Sequence, residues 1–591
     1  MNREASVSRP IALLALICLP VFVGSLDLTV ISAVLPNVIV DLQIPIQTGG
    51  TDAAWLVSGY LLAYTVSVAM MGRLSDFIGR RRTYFIALLI FIVGSWLVAV
   101  ATFAPTDWVR DIVRLIGGGR PDRSYMALYT LIGGRIVQAL GAGAMVPVAM
   151  ALVGDLFPPE RRAVALGVVG AVDTAGWVLG HLYGGLLVQV APWPVLFWNN
   201  IHVTPAAQLI TWQQLKPVAE KYGEGGLSRT AWIVVGTALV ALNLLAAAEI
   251  IGVAADLSVE SLLRVDWLMA ALLLLGIAAV VMASVNARRL QPEDVRFDAG
   301  GAVLLTLALV GLYIGLGGGG DLDTTRDFSG LQALPPYAIV MLVVAAASFV
   351  GFILVERRAD TPLFDLRNFR DRNLSVASVV NLFVGFCLMV GLVSVPLFIN
   401  AVFTQDLDEA ALLSGLVLGA LTIPMALAAV PGGLLTNRAG YRLPTARGLI
   451  VAAVGFALGL TWQADMSLWV MSGHMALAGI GLGLTVAPIS TSMINAVAAP
   501  ERGIASALVL VMRLVGMTIG TSAMTNYGLT RSNTLTERGV QPGMDFADLT
   551  QVAIDAASMV INEMLLIAAV VCVAALIPAL FLHGKPEEEN T

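Results

Sequence analysis

Residues 71–84 read MGRLSDFIGRRRTY, and what this stretch does between its neighbours decides the fold. Five charges crowd into residues 72–82 of a 591-residue chain that is 58% hydrophobic and only 13% charged. On both sides the sequence returns to apolar runs near the roughly 20 residues that a bilayer-spanning helix needs. Residues 230–248, 267–287, 299–320 and 374–405 carry no charged side chain at all, and the mean hydropathy is +0.85. A soluble domain of this length interrupts its apolar stretches with polar faces. The pattern predicts an all-α polytopic membrane protein, with the charged stretch as the turn between the second and third spanning helices.

About sixteen apolar runs follow one another along the chain. The weakest is 196–215, LFWNNIHVTPAAQLITWQQL, polar enough for a re-entrant or interfacial segment. Lys and Arg favour the cytoplasmic side of short loops. With the N-terminus inside and all runs crossing, 24 of the 34 Lys and Arg residues lie in or beside cytoplasmic segments and 8 lie outside. Arg135 and Arg513 fall within runs. This asymmetry places both termini in the cytoplasm and requires three crossings between residues 190 and 288, or one crossing plus non-spanning elements. The polar segments 104–124, 317–335 and 528–556 then face outward. The basic start before the first run mimics a signal peptide, but the run continues too far and carries Asp27 at its centre, so it reads as the first span. Cys18, Cys387 and Cys572 lie far apart inside apolar runs as packing residues, without metal spacing. The net charge of -6 shows no nucleic-acid footprint, and the absence of a G-x-x-x-x-G-K-[ST] sequence argues against ATP hydrolysis.

Within the charged turn the order of residues is specific. Gly72, Leu74, Asp76, Gly79, Arg80 and Arg81 fit the pattern G-x-L-x-D-x-x-G-R-R, which resembles motif A of the major facilitator superfamily. The resemblance implies that the first glycine lets two helices approach, while the aspartate engages a helix end and an arginine to latch the outward-facing state. Phe77 departs from the pattern, where a basic residue is usual. A degenerate echo, GGLLTNRAGYR at 432–442, puts Asn437 where the acid would be. Two related halves imply the family architecture of two six-helix bundles around a midplane cavity.

A charged group inside a spanning helix costs roughly 2.5–3.5 kcal/mol on insertion scales, so each needs a partner, a wet cavity or a function. Asp27 lies in LDLTVISAVLPNV, residues 26–38, which resembles the first-helix motif of the drug:proton antiporters with fourteen helices. That likeness implies a cavity-facing carboxylate that takes up and releases a proton. Arg135, in GGRIVQALGAGAMVPVAMALVGD at 133–155, sits in a stretch that resembles motif B; it is a partner for Asp27 that makes protonation depend on conformation. GVVGAVDTAGWVLGHLYGG, residues 167–185, resembles the antiporter motif C through Gly167, Gly176, Gly180, Gly184 and Gly185, although His181 replaces the proline that normally follows Gly180. Asp173 falls on the glycine stripe three residues before Gly176, and at 100° per residue about 80° from the face of His181. Asp173 and His181 join Asp27 and Arg135 as candidates for proton coupling and the cavity.

RRLQPEDVRFDAGGAVLLTLALVGLYIGL and ERRADTPLFDLRNFRDRN look like the landmarks that bracket the linker pair of the fourteen-helix branch, which makes 298–316 and 336–355 the linker helices. The expected organisation is residues 1–205 as the first part of the N-terminal bundle and 206–265 as an insertion with one or two extra membrane segments. Residues 266–290 complete that bundle, 291–360 hold the linker pair, and 361–591 form the C-terminal bundle, giving fourteen to sixteen spans. The resemblance implies proton-coupled export of hydrophobic or amphipathic compounds across the inner membrane by alternating access. The energy source is the proton gradient, with no cofactor or metal, and no bond is made or broken, so the chain is not read as an enzyme. Its partners are a small hydrophobic or lipid-like substrate, protons and membrane lipids, with no nucleic acid; nothing in the sequence names an accessory protein. A rival within transport is a lipid or glycolipid exporter, favoured by the altered motif C. From another class, a non-transporting receptor or assembly component has little reason to bear the insertion cost of Asp27 and Arg135.

Overall fold

The computed structural model describes residues 10–44, 53, 55–117, 121–202, 215, 229–254, 266–288, 298–316, 337–359, 362, 366–404, 407–463, 465–541, 544 and 546–585. All regular structure among these residues is helical. In hydrocarbon a helix pairs its backbone N–H and C=O groups within its own segment, where water is not at hand to do so. Among the described residues, twelve helices are long and apolar enough to cross a membrane, and three shorter apolar helices cover 233–248, 268–284 and 300–315. Together they coincide with every expected run except 196–215, most of which lies outside the described residues.

The chain forms two compact units, one of residues 1–156 and 179–297, the other of residues 157–178 and 298–591. Along the first part run α1 (Pro10–Asp41), α2 (Trp55–Ile78), α3 (Arg80–Ala99), α4 (Ala104–Gly117), α5 (Arg123–Leu156), α6 (Pro159–Leu187), α7 (Arg229–Ala254) and α8 (Asp266–Arg288). The division falls inside α6, after residue 178. In the first unit α5 packs against α1, α2 and α3, while α7 packs on α8 and α8 on α3. Small residues let the backbones of α3 and α5 meet: a Cβ on Gly94 would collide with the backbone of Gln138. This approach brings Ser95 beside Gln138, which matters for the site below.

The second unit holds α9 (Ala299–Gly315), α10 (Ala338–Glu356), α11 (Arg372–Phe398), α12 (Leu407–Ala439), α13 (Arg442–Leu458), α14 (Leu468–Asn495), α15 (Arg502–Gly539) and α16 (Phe546–Ala579). α9 and α10 pack as a hairpin, and α14 packs against both α12 and α13.

Two of the three long polar segments, 104–124 and 528–556, are more ordered than hydropathy suggests. Residues 104–117 of the segment 104–124 are the helix α4. Most of 528–556 is also helical, because α15 runs on to Gly539 and α16 begins at Phe546. The two are joined by Glu563, which accepts hydrogen bonds from Tyr527 Oη at 2.6 Å and from Arg531 Nε and Nη2 at 3.0 and 2.9 Å. A hydropathy window marks only where a helix is apolar, so it misses turns held by polar pairing. The segment 317–335, and residues 203–214, 216–228 and 255–265 around the expected insertion, lie outside the described residues.

Candidate functional site

Five segments of the first unit converge on Asp27, which is 1% exposed. α1 supplies the aspartate, α5 supplies Arg135 and Gln138, α3 supplies Ser95, α2 supplies Tyr60, and the helical residues 194–202 supply Asn200. Arg135, with no exposed surface, donates from Nη1 to Asp27 Oδ2 at 2.5 Å and from Nη2 to the Asp27 carbonyl at 3.1 Å. Its Nη1 also donates to Gln138 Oε1 at 2.7 Å. The amide of Gln138 is thereby oriented, and its Nε2 donates to Asp27 Oδ1 at 3.1 Å and to Ser95 Oγ at 2.8 Å. Asn200 Nδ2 completes the carboxylate with a 2.7 Å bond to Oδ1. The guanidinium carbon lies 3.9 Å from the centroid of the Tyr60 ring, a cation–π contact that takes up the flat face of the cation.

This network meets most of the usual requirement for charge in a low-dielectric interior, where an ion pair holds only if its remaining lone pairs and protons find partners; Arg135 Nε is buried without a hydrogen-bond partner among the described residues. Both carboxylate oxygens are occupied by donors. Protonation of Asp27 would neutralise the charge that these donors share and weaken the bonds that tie α1 to α5 and to 194–202.

The charged turn of residues 71–84 forms a second buried cluster. Arg80 pairs with Asp76 through Nη1 and with Asp155, at the end of α5, through Nε at 3.3 Å. Its Nη1 also donates to Ser75 Oγ at 2.6 Å, and Ser75 Oγ in turn donates to the Gly72 carbonyl at 2.6 Å. One guanidinium thus bridges two carboxylates whose side chains are 3% and 2% exposed. Arg81 is buried as well. Phe77, the departure from the motif, receives the Arg73 guanidinium 4.4 Å from its ring centroid.

Gly79 joins α2 to α3 with φ 97° and ψ 144°, a region that side chains with a Cβ rarely enter. Gly79→Ala is expected to cost about 1–3 kcal/mol from this backbone strain. A lower thermal unfolding midpoint in detergent checks it; an unchanged midpoint would show that the turn relaxes without loss.

The glycine-rich stretch of α6 is used at both ends. Gly167, in the part grouped with the second unit, lies against the Ala429 carbonyl and the Ala487 methyl. Gly180, in the part grouped with the first, meets Thr29 Oγ1 and the Leu26 carbonyl on α1, close to Asp27. A Cβ at Gly185 would meet open space, and Gly176 and Gly184 are helical. Asp173 is buried in the part of α6 that groups with the second unit. The His181 side chain lies outside the described residues. In the second unit the motif echo is tied to the start of α6: Asn437 Nδ2 donates to the Glu160 carbonyl, and Arg162 Nη1 donates to Asn495 Oδ1 at 2.6 Å.

For these two clusters the sequence marks Asp27, Arg135, Asp76 and Arg80 but not Gln138, Asn200, Ser95, Tyr60 and Asp155. Gln138 and Asn200 left a usable trace, since an amide in an apolar run also needs a buried partner.

A family model described as Major Facilitator Superfamily matches residues 17–521. The chain belongs to the Major Facilitator Superfamily. It is a multi-pass transporter of that superfamily rather than an enzyme. Among its relatives is a protein named as a triacylglyceride transporter of Mycolicibacterium hassiacum, 30% identical over 96% of this chain and 91% of the relative. Another of that name, from Mycolicibacterium smegmatis, is 31% identical over 96% of this chain and 87% of the relative. A solved structure, that of the human organic anion transporter MFSD10, is similar at 13% identity with a TM-score of 0.47, covering 95% of this chain and 98% of that one. The cargo in the names of these two relatives is a triacylglyceride, whereas the motif likeness alone pointed to the drug:proton branch.

Proposed function

We propose that this superfamily member is a proton-coupled exporter of a neutral, triacylglyceride-like lipid that works by alternating access in the inner membrane, with both termini cytoplasmic. Coupling rests on one observation, the fully buried Asp27–Arg135 pair with its Gln138 and Asn200 donors. A charge pair at this depth is a functional candidate by default, and protonation of Asp27 would weaken the charge-assisted bonds that hold the cluster closed. Asp27 exchanges the proton, Arg135 releases or recaptures the carboxylate as the helices move, and Arg80 between Asp76 and Asp155 latches one state. Asp173, and His181 in place of the motif proline, are candidates for a cavity wall suited to lipid. The class of cargo is supported by the triacylglyceride transporters that align with nearly the whole chain. Export of amphipathic drugs is the second reading, favoured by the antiporter-like residues 26–38.

The test is transport in proteoliposomes carrying an imposed pH gradient, with a fluorescent triacylglyceride analogue and a cationic dye followed separately. Movement of the lipid that depends on the gradient and stops with an uncoupler is the expected result. Dye movement without lipid movement would transfer the assignment to drug export. Failure of folded protein to move either would remove the transport reading proposed here.

A further inference from the structure

The helix α4 is amphipathic and overhangs the first unit. Plotted at 100° per residue, Pro105, Trp108, Val109, Ile112, Leu115 and Ile116 form one stripe, while Asp107, Arg110, Asp111 and Arg114 occupy the opposite face. The two ends of the stripe have different surroundings. Pro105 is buried and Trp108 packs against the hydrophobic core of the unit. Farther along, Ile112 is 56% exposed, Leu115 86% and Ile116 82%. The helix is held at the end of the unit opposite the Gly79 turn: Arg123, opening α5, donates from Nε to Asp107 Oδ1 at 3.2 Å and from Nη2 to the Thr102 carbonyl at 2.9 Å. There α4 packs on α5 and α8, whose exposed large side chains beyond Arg123 are the hydrophobics Tyr129 and Ile136 on α5 and Leu274, Ile277 and Val281 on α8.

We infer that α4 is an interfacial helix that lies in the bilayer surface, its Ile112–Leu115–Ile116 edge sunk to the boundary of headgroups and acyl chains and its charged face turned to water. The occupant of the exposed stripe is lipid because the stripe continues the apolar belt of α5 and α8 at the level where those helices leave the membrane. The opposite face matches the polar side of an in-plane helix. Two acidic and two basic residues leave that face without net charge, so the attachment is driven by apolar burial rather than by anionic headgroups. The proposal is independent of what the transporter carries.

Single-cysteine variants Leu115→Cys, Ile116→Cys and, on the charged face, Arg110→Cys test it. They are labelled with a small fluorophore in phosphatidylcholine proteoliposomes; the three native cysteines are buried. Quenching by a lipid with a spin label in its acyl chain is compared with quenching by aqueous iodide. At positions 115 and 116 the lipid quencher is expected to be at least about threefold more effective than iodide, with the order reversed at 110. Iodide quenching at 115 and 116 equal to that at 110 would place the stripe in water and overturn the proposal. Protection of 115 and 116 from both quenchers would also overturn it, because the stripe would then be covered by protein.

Discussion

Asp27→Asn is expected to abolish pH-driven transport, by at least tenfold, and also to lower stability. Three donors converge on the carboxylate, from Arg135, Gln138 and Asn200. An asparagine offers one acceptor oxygen and an NH2 group that only donates, so at least one of the three donors is left facing another. Arg135 also keeps its charge without a counterion in a fully buried position. Breaking a buried pair from one side costs about 3–5 kcal/mol. The loss of transport therefore needs a control that repairs stability without restoring the titratable group. The double variant Asp27→Asn, Arg135→Gln removes both charges and is expected to recover most of the unfolding midpoint while pH-driven transport stays absent. Transport restored in the double variant would show that Asp27 is a structural residue and that coupling resides elsewhere.

The second large effect is expected at the turn. Arg80→Gln removes the guanidinium that bridges the buried Asp76 and Asp155. The loss is again about 3–5 kcal/mol, the cost of breaking a buried pair from one side. Arg80→Lys tests geometry apart from charge. Arg80 reaches Asp76 and Ser75 through Nη1 and Asp155 through Nε, on different edges of one plane, whereas a lysine presents a single ammonium. The lysine variant is expected to hold one carboxylate and to fall between wild type and Arg80→Gln in unfolding temperature. Equal midpoints for Lys and Arg would mean that the bridge to Asp155 contributes nothing.

The helical membrane architecture and the two charged positions that anchor the site were legible in the sequence alone. Hydropathy over about 20 residues is a local property, and a charge inside such a run stands out whatever surrounds it. For the same reason the turn at 71–84 was readable: Gly72, Asp76, Gly79 and Arg80 lie within nine residues of one another. What only the tertiary structure decided is which groups complete each cluster. The sequence already offers Arg135 as a partner for Asp27, but not Asn200, which Asp27 meets across 173 positions, nor Asp155, which joins Arg80 across 75. No periodicity encodes such separations; they follow from the close backbone approach of α3 and α5 at Gly94 and from the packing of α1 against α5. Local hydropathy likewise concealed α4, whose alternating charges read as a polar loop until its apolar stripe was placed on one helical face and found to run from the core out to the surface. Sequence sets which residues must find a partner, because leaving a buried charge or amide unpaired is costly; the fold sets which partner it is, because that depends on helices meeting far along the chain.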